Sequence, residues 1–497
     1  MSRSPHARVR RSPPWSDRVV EGGALFLLIV TPLVYGTVTP WGEALAELVI
    51  LGMAAAWVLS MVRQGALRVA PPPSVVPGAL FLMLVLFQLV PLPRPVVELL
   101  SPLAANLHRE VAAYAGAALG AVPLSLDPHE TWREWLKLLG LAVFFLLLYN
   151  TVRTRGQAQR ALWTMVVMGT LVSIFAIVQR ATWTGRLYWI GPTAPDSAFG
   201  PFVNRTHFAG LMIVIVPMAL AMILGDRRPS DRPPIVRGWL DQLRRWNAPE
   251  TGPARLIAFL VLLMGGATLV SGSRGGAVSL LAGLLCMIGL GVRALRGQGR
   301  ATRVAIATVL IILAAVWISW DILYGTIERL AEEIGHAEAS ARVHIWGDAL
   351  GLWRLAPILG TGFATFGEAY PRMRTIEAPV AFGHAESDWV QLLTDTGVAG
   401  LGLALATAAS LVWALLRRYR RAPSPWVRNM ALAGTVALIG TVVQGIGNYN
   451  LPILSNQLYL AMGLAMGLRA GDLIHHGRST RGTELDLADR RGALSDA

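Results

Sequence analysis

Apolar runs about as long as a bilayer is thick alternate with short arginine-rich or glycine-rich links along nearly the whole chain. A helix needs about 20 consecutive apolar residues to cross the hydrocarbon core. Windows of that kind fall at 19–37, 42–62, 77–94, 133–151, 160–180, 207–225, 255–271, 275–293, 304–323, 388–416, 429–447 and 455–470. The third is short, and the tenth opens on polar residues. The pattern predicts an all-α, polytopic integral membrane protein with about 12 transmembrane helices. A single membrane domain spans 17–475, with a long loop at 324–388 between the ninth and tenth spans. The first 16 residues, rich in Arg, Ser and Pro, read as a disordered tail, as does 476–497, where charges alternate without an apolar period.

Composition strengthens this reading. Of 497 residues, 54% are hydrophobic and only 15% are charged, well below the charged share of a soluble domain. The formal charge of +14 invites thoughts of nucleic acid, but its distribution points elsewhere. Arginines crowd the amino terminus and alternate links: Arg63–Arg68, Arg153–Arg160, Arg227–Arg255, Arg293–Arg303 and Arg417–Arg428. Positive charge gathers on cytoplasmic loops, so both termini are expected in the cytoplasm and no nucleic-acid partner is implied. No small-residue cleavage site follows the first apolar run, which argues against a removed signal peptide. Cys286 is the only cysteine and lies in an apolar run, which leaves no intramolecular disulfide. Lys137 is the only lysine, which leaves little room for Schiff-base chemistry. The link at 226–253 holds a short amphipathic stretch near 239–246, read as resting on the membrane surface. No internal repeat is visible, which weakens an inverted-repeat transporter reading.

Four segments then face the opposite side, the periplasm in a bacterial cell: 95–132, 181–206, 271–275 and 324–388. The unusual polar motifs fall in or beside them, so the chemistry is expected on the outer face. Ser271-Gly-Ser273-Arg274-Gly275-Gly276 is a tight turn between two spans. The guanidinium of Arg274 suits a diphosphate held bidentately, or equally an arginine snorkelling to lipid headgroups. At Asn204-Arg205-Thr206-His207, Asn204 is a natural helix cap and Arg205 a second donor for an anion. His207 is either a satisfied polar residue of the bundle or a site residue.

His384 precedes the tenth span together with Glu386 and Asp388. An imidazole titrates near physiological pH and is the natural base for a hydroxyl proton, with Glu386 or Asp388 orienting the ring. A metal site is the competing reading, but the i, i+2, i+4 spacing does not place all three on one helical face. Arg342 and Trp346, at i and i+4, share a face if their stretch is helical. The turn Pro357-x-x-Gly360-x-Gly362-Phe363 reads as a flexible element able to close over an acceptor.

Together these motifs resemble the bacterial O-antigen ligase and polysaccharide polymerase superfamily. The resemblance rests on Val203 to Gly210, Ser271 to Gly276, Arg342-x-x-x-Trp346, Pro357-x-x-Gly360-x-Gly362-x-x-x-Phe366, and His384-Ala-x-x-Asp388 with Gln391 and Gly397 downstream. It covers roughly 200–450 and departs from the family at Asp388, where an amide is common. It implies a GT-C-like, inverting, metal-independent glycosyltransferase of the bacterial inner membrane, with no cofactor. The donor would be a glycan on undecaprenyl diphosphate, and the acceptor a glycan or lipid A-core. In such an enzyme Arg274 and His384 are catalytic, while Asn204, Arg205, His207, Arg342, Trp346, Glu386 and Asp388 line the substrates. The alternative is a flippase that moves lipid-linked glycan without forming a bond.

Overall fold

In a computed structural model, residues 14–116, 120–193, 195, 197–225, 252–294, 338–375 and 383–493 are described. They form helices joined by short links, and the β pairing among them is confined to isolated bridges such as Phe199 with Phe202. The apolar windows reappear as α1 (Trp15–Leu33), α2 (Pro40–Arg63) and α3 (Val75–Gln88). After two short helices, α4 (Arg94–Leu100) and α5 (Pro102–Ala115), come α6 (Pro128–Thr151), α7 (Arg155–Ala181), α8 (Arg205–Gly225), α9 (Gly252–Val270) and α10 (Arg274–Ala294). The long loop carries α11 (Glu338–Arg354) and α12 (Phe366–Ala369), and α13 (Asp388–Arg420), α14 (Pro425–Gln444) and α15 (Leu454–Ala493) complete the chain. Among the described residues 7 helices are long and apolar enough to cross a membrane, with α3 and the start of α10 as shorter apolar helices. The predicted ninth span (304–323), the amphipathic stretch 239–246, residues 1–13, and 324–337 and 376–382 of the long loop lie outside the described residues.

One expectation changes at the carboxyl end. The alternating charges of 476–497 predicted an unstructured tail, yet α15 continues to Ala493. Leu, Ala, Glu and Arg in that stretch have high intrinsic helix propensity, and a helix propagates more readily than it nucleates.

Helix starts follow capping chemistry. Asp127 accepts from the backbone of His129 and Glu130 ahead of α6, and Thr154 forms a reciprocal capping box with Gln157 ahead of α7. Ser424 accepts from Val427 N at the start of α14, with Pro425 in the first turn. The centre of the bundle is α8 packed along α14. Both are buried over most of their length and apolar nearly all round, as helices surrounded by other helices must be. α2, α9 and α13 keep most of their apolar surface outward, Leu48, Leu51 and Val62 on α2 among it, which is the face a membrane would cover.

The long loop folds back onto the bundle through a break in α13. Gly397 sits at φ 64°, ψ −169° and interrupts the helix, and a Cβ there would run into the Ile358 carbonyl. The Pro357–Phe363 turn fills the gap. Val398 N donates to Pro357 O (2.9 Å) and Ala399 N to Ile358 O (3.1 Å), while Thr361 N and Gly362 N donate to Thr394 O and Asp395 O, each at 3.0 Å. Gln88, at the end of α3, donates to Leu359 O (2.6 Å) and Asp395 O (2.9 Å) and accepts from Phe363 N (3.0 Å). Broken backbone inside an apolar bundle is tolerated only when its polar groups are paired in this way. The turn expected to be a flexible closing element is therefore a fixed splice. Its glycines are needed because Gly360 at φ 72° lies directly against the Asp395 peptide.

Candidate functional site

Six helix ends meet at one end of the bundle: the starts of α8, α10, α13 and α15 and the ends of α9 and α14. The sequence motifs sit at these ends. Ser271 Oγ donates to Thr268 O (2.6 Å) and accepts from Ser273 N (3.2 Å), which closes the turn between α9 and α10. Ser273 Oγ accepts from Gly276 N (3.2 Å) and caps α10, leaving Arg274 exposed at its first position. Gly272 lies under the exposed guanidinium of Arg205, whose Nη1 is 3.6 Å from where a Cβ would stand. Two arginines from separate motifs are thus presented at the same turn.

Asn204 caps α8 as expected, accepting from Thr206 N (2.9 Å) and Thr206 Oγ1 (3.0 Å). His207 is buried three residues further on. Its Nε2 lies 3.1 Å from the Tyr449 carbonyl, so Nε2 carries the proton in the tautomer the contact requires, and Nδ1 is buried with no hydrogen-bond partner among the described residues. Gly275 presses against the Asn448 side chain, bringing the arginine turn to the same segment.

His384 lies face to face with the Tyr449 ring, centroids 3.8 Å apart and planes within 18°. The residue remains exposed beyond the stacked face. Burial of that face, and secondarily the positive charge of Lys137, pushes the imidazole pKa down to about 4. At neutral pH it is therefore uncharged and able to accept a proton. The Tyr449 hydroxyl meets the Gln391 side chain, and burial holds the phenol well above its ordinary range.

The two acidic neighbours of His384 have other partners. Asp388 is buried, with Oδ1 accepting from Asn450 N and Leu451 N, both at 3.0 Å, and Oδ2 from Leu451 N at 3.2 Å. Its own N–H reaches Gly445 O and Asn448 O. The carboxylate is committed to the 450–451 backbone, not to the imidazole as the spacing suggested. Glu386 adopts a left-handed conformation (φ 53°) and lies 3.9 Å from Arg342. Trp346 Nε1 donates to Ala385 O (3.0 Å), and Ala385 N donates to Gln391 Oε1 (3.1 Å). Arg342 and Trp346 do share one face of α11, and that face clasps the 384–386 turn. The metal reading of His384, Glu386 and Asp388 loses its geometry, because the Asp388 carboxylate is turned to the 450–451 backbone.

The residues that sequence reasoning missed are Asn448, Tyr449 and Asn450. They lie in the link between α14 and α15. The signal was present: Gly445-Ile-Gly447-Asn448-Tyr449-Asn450 interrupts two apolar runs on the side where the other motifs gather.

Residues 259–405 match the family model described as O-antigen ligase. This stretch is similar to O-antigen ligase domains, which supports the resemblance to that superfamily. It contains Arg274, Arg342, Trp346, His384, Glu386 and Asp388, whereas Asn204, Arg205, His207 and Tyr449 lie outside it. No curated protein matches the chain. The domain and the membrane-length helices together make this a multi-pass membrane protein that processes glycans, with the glycosyl-transfer type of activity the family implies.

Proposed function

We propose that this protein is an inverting, metal-independent glycosyltransferase of the bacterial inner membrane, with about 12 spans and both termini cytoplasmic. It takes a glycan from undecaprenyl diphosphate on the periplasmic face and passes it to a hydroxyl of a growing polysaccharide or of lipid A-core. The observation that carries this reading is that the arginine-bearing turn and the imidazole pack on adjacent residues of one segment, Gly275 against Asn448 and His384 against Tyr449. Arg274, supported by Arg205, holds the diphosphate and stabilises the charge that develops as it leaves. His384 takes the proton of the attacking hydroxyl. The acceptor oxygen bonds to the anomeric carbon as the carbon–diphosphate bond breaks. The electron pair leaves with the lipid diphosphate, and the configuration inverts. A diphosphate departs without a general acid, and its negative charge beside His384 raises the basicity of the imidazole once donor is bound. Glu386, beside Arg342, lines the acceptor side with Trp346.

Deleting the gene and analysing the lipid-linked glycan separates the two acceptor classes. Long polymer stranded on the carrier marks a ligase, and single repeat units mark a polymerase. A glycan pool retained on the cytoplasmic face would instead favour the flippase alternative.

A further inference from the structure

Tyr449 belongs to none of the motifs that suggested the activity, yet four consecutive residues around it are fastened from two sides. Asp388 N donates to Asn448 O, His207 Nε2 donates to Tyr449 O, and the Asp388 carboxylate accepts from the backbone of Asn450 and Leu451. Each of these contacts holds main chain. None of these hydrogen bonds is made to the imidazole of His384 or to Arg274 or Arg205. What they fix is the pose of one side chain, and that side chain is the ring on which His384 is stacked. Gln391 closes the arrangement, because it faces the Tyr449 hydroxyl and also accepts from Ala385 N, the residue after His384.

We propose that Tyr449 is the positioning residue of His384, and that His207 and Asp388 act through it rather than on substrate. This rests on the reading of His384 as the base. The π face of Tyr449 covers one side of the imidazole and keeps water from that side, while the rest of this exposed side chain is left to meet the acceptor hydroxyl. A base held in one orientation has no rotation to lose when it reacts, which is where positioning contributes to rate. The titratable and charged groups that face this arrangement from neighbouring elements are His207 on α8, Asp388 and Asp395 on α13, and Glu134 and Lys137 on α6. Lys137 is itself ion-paired with Glu43 (3.1 Å) and Glu134 (2.5 Å).

The test uses the full-length protein in liposomes with a lipid-diphosphate-linked glycan, measuring kcat, donor KM and the pH profile of each variant. Tyr449→Leu is expected to lower kcat by about 10–100-fold at nearly unchanged donor KM, as misplacement of a catalytic group does. It is also expected to move the acid limb of kcat/KM upward from about 4 toward the unperturbed imidazole value, because water reaches the uncovered face. Tyr449→Phe, which retains the stacked face, should recover most of the rate and the original limb. His207→Gln, able to donate to the same carbonyl, should resemble the parent more closely than His207→Leu. If Tyr449→Leu does not insert and fold, the Tyr449→Phe and His207 pairs still decide. Loss of activity in Tyr449→Phe comparable to that of His384→Ala would overturn the proposal, as would a Tyr449→Leu enzyme with parental kcat and limb. Full activity in His384→Ala is a different failure: it removes the base itself and with it the reading on which this rests.

Discussion

Replacing Asp388 separates a structural carboxylate from one that touches substrate. In Asp388→Ala the N–H groups of Asn450 and Leu451 lose their acceptor inside the protein. Each orphaned buried donor costs about 1–3 kcal/mol, so the variant should be destabilised by about 2–6 kcal/mol. Relief of carboxylate burial moves the result toward the lower end of that range. Asp388→Asn is the informative partner. Its retained oxygen can occupy the Oδ1 position, 3.0 Å from both donors, and only the longer 3.2 Å contact from Leu451 N is lost. The expected cost is about 1 kcal/mol, one ordinary hydrogen bond. The assay is thermal unfolding of purified protein in detergent, read beside transfer activity in liposomes. The midpoints should rank parent, Asn, Ala, and activity should follow the same order. An Asp388→Ala protein as stable as the parent but inactive would refute this account and put the carboxylate in contact with substrate.

Three further outcomes are expected. Gly397→Ala places a side chain at φ 64° and against the Ile358 carbonyl; the conformation alone costs about 1–2 kcal/mol, so the yield of folded protein in membranes should fall, and an unchanged yield would contradict the splice. The acid limb of kcat/KM should lie near 4, because lowering the pH through the depressed imidazole value protonates the base and removes activity; a limb at the ordinary histidine value would show a solvated ring. Trp346→Phe deletes the hydrogen bond to Ala385 O at about 0.5–1.5 kcal/mol and should reduce kcat several-fold while leaving the arginine turn and donor KM intact; a raised donor KM would place Trp346 on the donor side.

Much of the architecture was legible in the sequence because a membrane restricts the choices. Apolar runs of spanning length have one common fate, and Asn204 marked a helix start through ordinary capping chemistry. Pairings were not legible. The spacing of Asp388 from His384 suggested a partnership, but nothing local reveals that residues 450 and 451, more than sixty positions later, compete for the carboxylate and obtain it. Similarly, Pro357, Gly360 and Gly362 read as a flexible turn, since glycine permits motion and close packing equally. Only the position of Gly397 in the opposing helix shows that close packing is the reason here. Tyr449 escaped notice because a lone aromatic between two spans is an unremarkable interfacial residue until the ring it supports is known.

The central claim is that one end of this bundle forms a glycosidic bond, with His384 as base and Arg274 at the diphosphate. Its most direct test is transfer by the purified protein in liposomes supplied with lipid-diphosphate-linked glycan, an acceptor and EDTA. The parent should join donor glycan to acceptor and release lipid diphosphate, while His384→Ala and Arg274→Ala insert normally and form no product. Glycan crossing the bilayer without a new bond, or product at the parental rate from His384→Ala, would contradict it.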